Sequence, residues 1–201
     1  MQRSLAIEGL KNFWRCEKLW IGLLLIGLVG CKTDYEKLVD TELRKGIRKD
    51  SLFLGISLGM SSKDFYAHCW ELNKRQVIRQ GTRNMSVLFT LTDLKDTADM
   101  NFYPTFESDS IYEMPVYINY RGWAPWNAQL SSDTLVVDLV KMLKRWYGGD
   151  FIKLNFPELG IVFVKVDGNR RITVSRDIEP TVKVVFTDML MEKRRKKKNN
   201  E

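Results

Sequence analysis

Apolar and polar positions alternate with two different periods along this chain, and the switch between them places the elements. Tyr35, Leu38, Val39, Leu43 and Ile47 recur at helical spacing with charged residues between them, which predicts an amphipathic helix over 34–48. A glycine turn around Gly55 and Gly59 leads to Ser61, with Asp64 three residues later as a variant capping box. The helix that follows is predicted over 62–75, with Phe65, Cys69 and Leu72 on one face. A third helix, over 133–147, begins at Ser132 or Asp133, carries the stripe Leu135, Leu139, Met142, Leu143 and Trp146, and stops at Gly148-Gly149.

Period-two runs occupy the rest. Met85–Thr92 and Met114–Tyr120 read as strands, the second with Pro115 at its start or on an edge. Residues 93–110 read as a loop that packs its own apolar side chains. From Asp150 the pattern is a meander: Phe151–Phe156, Ile161–Val166, Arg171–Arg176 and Thr181–Thr187, with Gly168-Asn169 as a tight primed turn. The expected fold is therefore α+β: a mainly antiparallel sheet of about six strands with about three helices on one face.

The first thirty residues follow neither period. Leu19 to Gly30 carry no charge, and Lys11, Arg15 and Lys18 precede them. The run is about 12 residues, short of the roughly 20 that a spanning helix needs. A basic start, a short apolar stretch and a small residue before a cut site match an export signal. The closing residues, Leu28-Val29-Gly30-Cys31, resemble the bacterial lipobox. That resemblance implies cleavage before Cys31 and lipid attachment to its thiol, so that acyl chains rather than a spanning helix hold the protein. Lys32-Thr33-Asp34-Tyr35-Glu36 resembles the acidic surface-export signals of some Bacteroidetes lipoproteins. The organisation expected is a lipoprotein signal peptide over 1–30, a tether over 31–36, one α+β domain over 37–191 and a disordered basic tail over 192–201.

Charge changes the picture little. The chain of 201 residues has a formal charge of +7, of which the first thirty residues hold +2, the last ten +4 and the body between them +1. The basic character is a tail effect, which argues against a nucleic-acid module. Cys16 leaves with the signal and Cys31 is lipidated, so Cys69 has no partner for a disulfide and reads as a buried inert thiol. A single His68 and so few cysteines supply no zinc cluster, and neither a metal nor a cofactor is expected.

Gly55 to Phe65, with its G-x-x-L-G-M-S-x-x-x-F core, resembles the opening of small outer-membrane lipoproteins of the SmpA/OmlA type. That likeness implies an accessory role in outer-membrane protein assembly. Overall the chain looks like uncharacterised Bacteroidetes lipoproteins. The residues offer one cluster suited to binding: Phe102, Tyr103 and Phe106, with Trp123 and Trp126 from a later loop. The basic tail suits anionic headgroups or glycans. No nucleophile elbow, phosphate-cradling loop or Cys–His dyad occurs, and paired carboxylates leave no local signature. The function expected is a lipid-anchored binding or scaffold module in the periplasm or at the outer membrane, with an unidentified envelope protein or glycan as partner. A cryptic envelope hydrolase and an assembly factor are the alternatives.

Overall fold

The computed structural model describes residues 32–81 and 86–199; the stretch expected to be an export signal, Cys31 and Met85 lie outside them. The chain divides into two compact units, Met1–Leu38 and Val39–Glu201. Helix α1, Asp34–Arg44, runs through that division and is three turns long, not the longer helix its spacing predicts. It starts within the stretch expected to be a tether, because Thr33 and Glu36 form a reciprocal capping box. The Glu36 N–H donates to Thr33 Oγ1 at 3.2 Å, and the Thr33 N–H donates to Glu36 Oε2 at 2.7 Å.

Among the described residues the second unit is an α+β structure around one antiparallel sheet, with nine strands rather than six and, counting α1, four helices rather than three. The strands are β1 Ile78–Gln80, β2 Val87–Leu91, β3 Ala98–Phe102, β4 Thr105–Glu107, β5 Ser110–Tyr120, β6 Ile152–Phe156, β7 Gly160–Asp167, β8 Arg170–Arg176 and β9 Val182–Asp188. Their order across the sheet is β1-β2-β3-β5-β9-β8-β7-β6, and β4 pairs with the start of β5. All six expected strands are present. β1, β3 and β4 are additional, so half of residues 93–110 is strand rather than all of it a self-packed loop.

Pro115 lies inside β5, not at its start. The β3 ladder on β5 stops at Val116, and the β4 ladder resumes at Glu113. Residues 114 and 115 therefore have ladder partners on the β9 side alone, and a residue without an N–H is tolerated in that gap.

Helix α2, Ser62–Lys74, borders β1 and buries Phe65 and Leu72. Ser61 caps it as predicted: its hydroxyl accepts from the Asp64 N–H at 3.1 Å. Ser61→Ala is expected to lower unfolding stability by about 1 kcal/mol in urea titrations, the usual worth of such a cap. Helix α3, Ser132–Tyr147, packs across β5, β8 and β9 and buries Leu135, Val136, Leu139, Met142 and Leu143 against Met114, Val116, Ile118, Val174, Val184 and Phe186. Gly148 ends it with φ 68, as the sequence predicts. Trp146, expected in the buried stripe, is partly exposed.

The fourth helix falls where a disordered tail is expected. α4, Met189–Asn199, begins on Asp188, which is buried and accepts the N–H groups of Leu190 and Met191. Glu192 pairs with Arg171 at 3.1 Å, and the Arg195 guanidinium donates to the Tyr112 hydroxyl at 2.7 Å while lying over that ring. Arg195 of the like-charge run thus has a partner on the sheet. Among the described residues no helix is long and apolar enough to cross a membrane.

Candidate functional site

The sheet turns one face to helix α3, which packs chiefly on β5, β8 and β9 rather than on β2 and β3. A cleft of about 590 Å³ fills the gap, within the size range of small-ligand sites. Its floor is Phe89, Leu91 and Met100 from β2 and β3. One wall is Trp146 and Tyr147 at the end of α3, and the other is the segment Lys49–Leu54. Asp167 and Arg170 close it from the β7–β8 hairpin, and Thr92 and Asp93 from the end of β2.

The walls are held by hydrogen bonds made in the interior. Tyr147 donates to the Leu52 carbonyl at 2.9 Å, its ring packs edge-on to Phe186, and the Arg170 guanidinium lies 4.4 Å above it. Burial pushes the Tyr147 phenol well above its ordinary range, so it stays a neutral donor. Arg170, itself buried, also donates to the Ser51 carbonyl and, at 3.1 Å, to Asp167. Segment 51–57 is a small hairpin whose turn places Leu54 at φ 53 and Gly55 at φ 78. Its first turn residue is not glycine, a conformation few residues adopt. The His68 ring N–H donates to the Leu54 carbonyl at 2.6 Å and secures the turn. Phe53 enters the core on Phe102 and Phe186, and Leu54 faces the cleft.

Two charged groups at the cleft are not used by the fold. Among the described residues the Lys49 ammonium and the Asp93 carboxylate have no ion-pair or hydrogen-bond partner, although the Asp93 carbonyl accepts from Arg145. Asp167 is the second carboxylate of the cleft and is engaged by Arg170. The described residues contain no group of three or more His, Cys, Asp or Glu placed to hold a metal ion.

The aromatic residues singled out from the sequence do not form one surface. Phe102 is a core residue. Tyr103 lies beside it, bonded through its hydroxyl to the Tyr66 hydroxyl at 2.6 Å, with Phe65 and Phe106 near. Trp123 and Trp126 follow Tyr120, which pairs with Ala98 at the opposite end of β3 from Phe102. Trp123 packs on the core and donates to Glu179 at 3.0 Å, whereas Trp126 is 87% exposed. Cys31 lies outside the described residues. Cys69 is half-buried rather than buried; loss of solvent pushes its thiol up to about 11, which leaves it protonated and unreactive. Tyr147, Arg170, Lys49 and Asp93 were not legible as a site, because four different elements bring them together.

Glu179 serves α3. Its carboxylate takes the Ser132 N–H at 3.0 Å, the Ser132 hydroxyl and the Trp123 indole, so the cap expected from Ser132 or Asp133 comes from a loop 47 residues away. Desolvation pushes its pKa up, but the Ser132 and Trp123 hydrogen bonds outweigh it and hold the carboxyl below its usual range. A depressed carboxylate contributes stability above the unfolded-state pKa, lost as pH falls through the folded value. Glu179→Gln is therefore expected to melt below the wild type at neutral pH, with the gap closing as the medium is acidified beneath the ordinary carboxylate range.

No family model, curated protein or solved structure matches this chain.

Proposed function

We propose that this chain is a lipid-anchored binding module of the cell envelope, held to a membrane through Cys31, with the cleft beside α3 as its ligand site. The single observation that carries the reading is the pairing of an apolar floor with two charged groups, Lys49 and Asp93, that the fold leaves unpaired. Neighbouring charges are taken up by the fold: Arg170 pairs with Asp167, and Arg48 with Asp50 and the buried Asp188. Lys49 and Asp93 are exposed at the mouth, where they would orient a ligand whose apolar body lies along Phe89, Leu91, Met100 and Trp146. Side chains of this kind suit an apolar segment of an envelope protein, or a glycan stacked on the tryptophan. Lipid attachment rests on the Leu28-Val29-Gly30-Cys31 pattern.

Thr92 lines the mouth and is exposed, so enlarging it blocks entry without disturbing the core. Thr92→Trp should reduce co-purification of the envelope partner from native membranes at least tenfold, with an unchanged melting temperature. Unaltered recovery of the same partner would remove the cleft from consideration.

The hydrolase reading draws on Asp93 and Asp167 lining one cleft. Asp167 is tied to Arg170, and the strand register starts the two from opposite ends of the sheet: Asp93 follows the end at Leu91, and Asp167 pairs with Arg170 at the other. Retention of full partner binding by Asp93→Asn, with loss of turnover on envelope glycans, would favour it.

A further inference from the structure

Among the described residues β6 closes one side of the sheet and pairs with β7 alone. The outward backbone groups of an edge strand are a template for another strand, and edges are usually blunted by proline, bulges or a row of charges. β6 has little of this. Its five residues contain no proline, its register with β7 runs unbroken from Ile152↔Val164 to Phe156↔Gly160, and it carries one charge, Lys153. Among the described residues neither the Lys153 nor the Asn155 side chain has a partner. The opposite edge, β1, is three residues long and includes Arg79.

The strand matches itself. Set antiparallel about a two-fold axis through Leu154, it places Leu154 opposite the second copy's Leu154, Ile152 opposite the second copy's Phe156, and Lys153 opposite the second copy's Asn155. No like charges meet, and each ammonium faces an amide that can accept from it. The apolar residues all lie on one face, because a two-fold axis normal to the sheet keeps each side chain on its own side. That face continues inward: Leu154 pairs with Val162 and Ile152 with Val164, both buried. Joining two copies would extend one apolar band across the seam and cover Phe156, which is 41% exposed in the single chain.

We propose that β6 is the interface of a homodimer in which the two sheets join through antiparallel β6–β6 pairing with Leu154 on the axis. The proposal depends neither on the cleft nor on the lipid anchor.

Residues directly opposite on antiparallel strands have Cα atoms about 4.5–5.5 Å apart, within disulfide reach. Two copies of residue 152 in this register lie roughly 13 Å apart, out of reach. The full chain would be expressed as Leu154→Cys, Ile152→Cys or Phe156→Cys, oxidised in its own membranes and compared with the wild type on non-reducing gels. Leu154→Cys should give a dimer band well above the wild-type background from the native cysteines. The other two should stay at background singly and cross-link when co-expressed. Equal cross-linking at all three positions, no band for Leu154→Cys, or capture of a different protein would overturn the proposal.

Charge supplies a second arm that leaves the fold alone. Asn155→Lys places two ammonium pairs across the seam and should weaken the dimer several-fold in sedimentation equilibrium. Asn155→Glu places two ion pairs there and should tighten it to a similar degree. A dimer indifferent to both substitutions would be held by another surface.

Discussion

Gly168→Val is expected to destabilise the second unit by roughly 2–4 kcal/mol, combining a strained backbone with overpacking against atoms that cannot yield. Gly168 has φ 59, and a Cβ built on it would lie 2.3 Å from the Ile47 carbonyl oxygen, a backbone atom. The close approach exists because the segment leading from α1 is strapped over the β7–β8 turn. The Gly168 N–H donates to Glu42 at 3.1 Å, the Lys49 N–H donates to the Asn169 side chain at 2.6 Å, and the Asn169 amide donates to Asp50 at 2.9 Å. Arg48 then ties Asp50 to the buried Asp188 that starts α4. Pushing the strap off the turn would break these bonds together and carry the Lys49–Leu54 wall away from the cleft. Gly46→Ala is the matched control, with φ 66 but no atom within 4 Å of its Cβ, so it loses the conformational part alone. Urea unfolding of the two variants separates the effects. A Gly168→Val midpoint close to that of Gly46→Ala would mean the strap does not press on the turn.

The second large effect is on location. Cys31→Ser removes the thiol on which the proposed lipid would be built. Each methylene of an acyl chain buried in a bilayer contributes about 0.8 kcal/mol, so losing several chains shifts membrane partitioning by several orders of magnitude. Expressed behind a cleavable export signal of the non-lipoprotein kind, so that no apolar leader is retained, the variant should leave the membrane pellet. Mass spectrometry of the wild type should find a lipid-bearing Cys31 as the first residue. A bare residue 31 with the first thirty residues still joined to it would defeat the lipoprotein reading.

How far these features could be read in advance depends on how local their causes are. The end of α2 at Ser61 and of α3 at Gly148, and the Gly168-Asn169 turn, rest on backbone geometry within a few residues of one another, and all three are found. The six strands with clear alternation are also found. β3 was missed because Asp99 and Asn101 are poor strand formers; it is a strand because β2 and β5 flank it and accept its ladder. The basic tail reads as disordered by charge alone, and it is helical because Asp188, Arg171 and Tyr112 supply a cap, an ion pair and a ring from elsewhere.

The same division separates the two parts of the functional proposal. The export pattern ending at Cys31 is contiguous, so sequence suffices to suggest it, as it does for the class of fold and the period of each strand. The cleft is different in kind. Lys49, Phe89, Asp93, Met100, Trp146 and Arg170 share a cavity only because the register of the sheet and the reach of α3 leave one gap uncovered. Pairing over such separations comes from burying the faces of several elements at once, and no short stretch of chain carries that information.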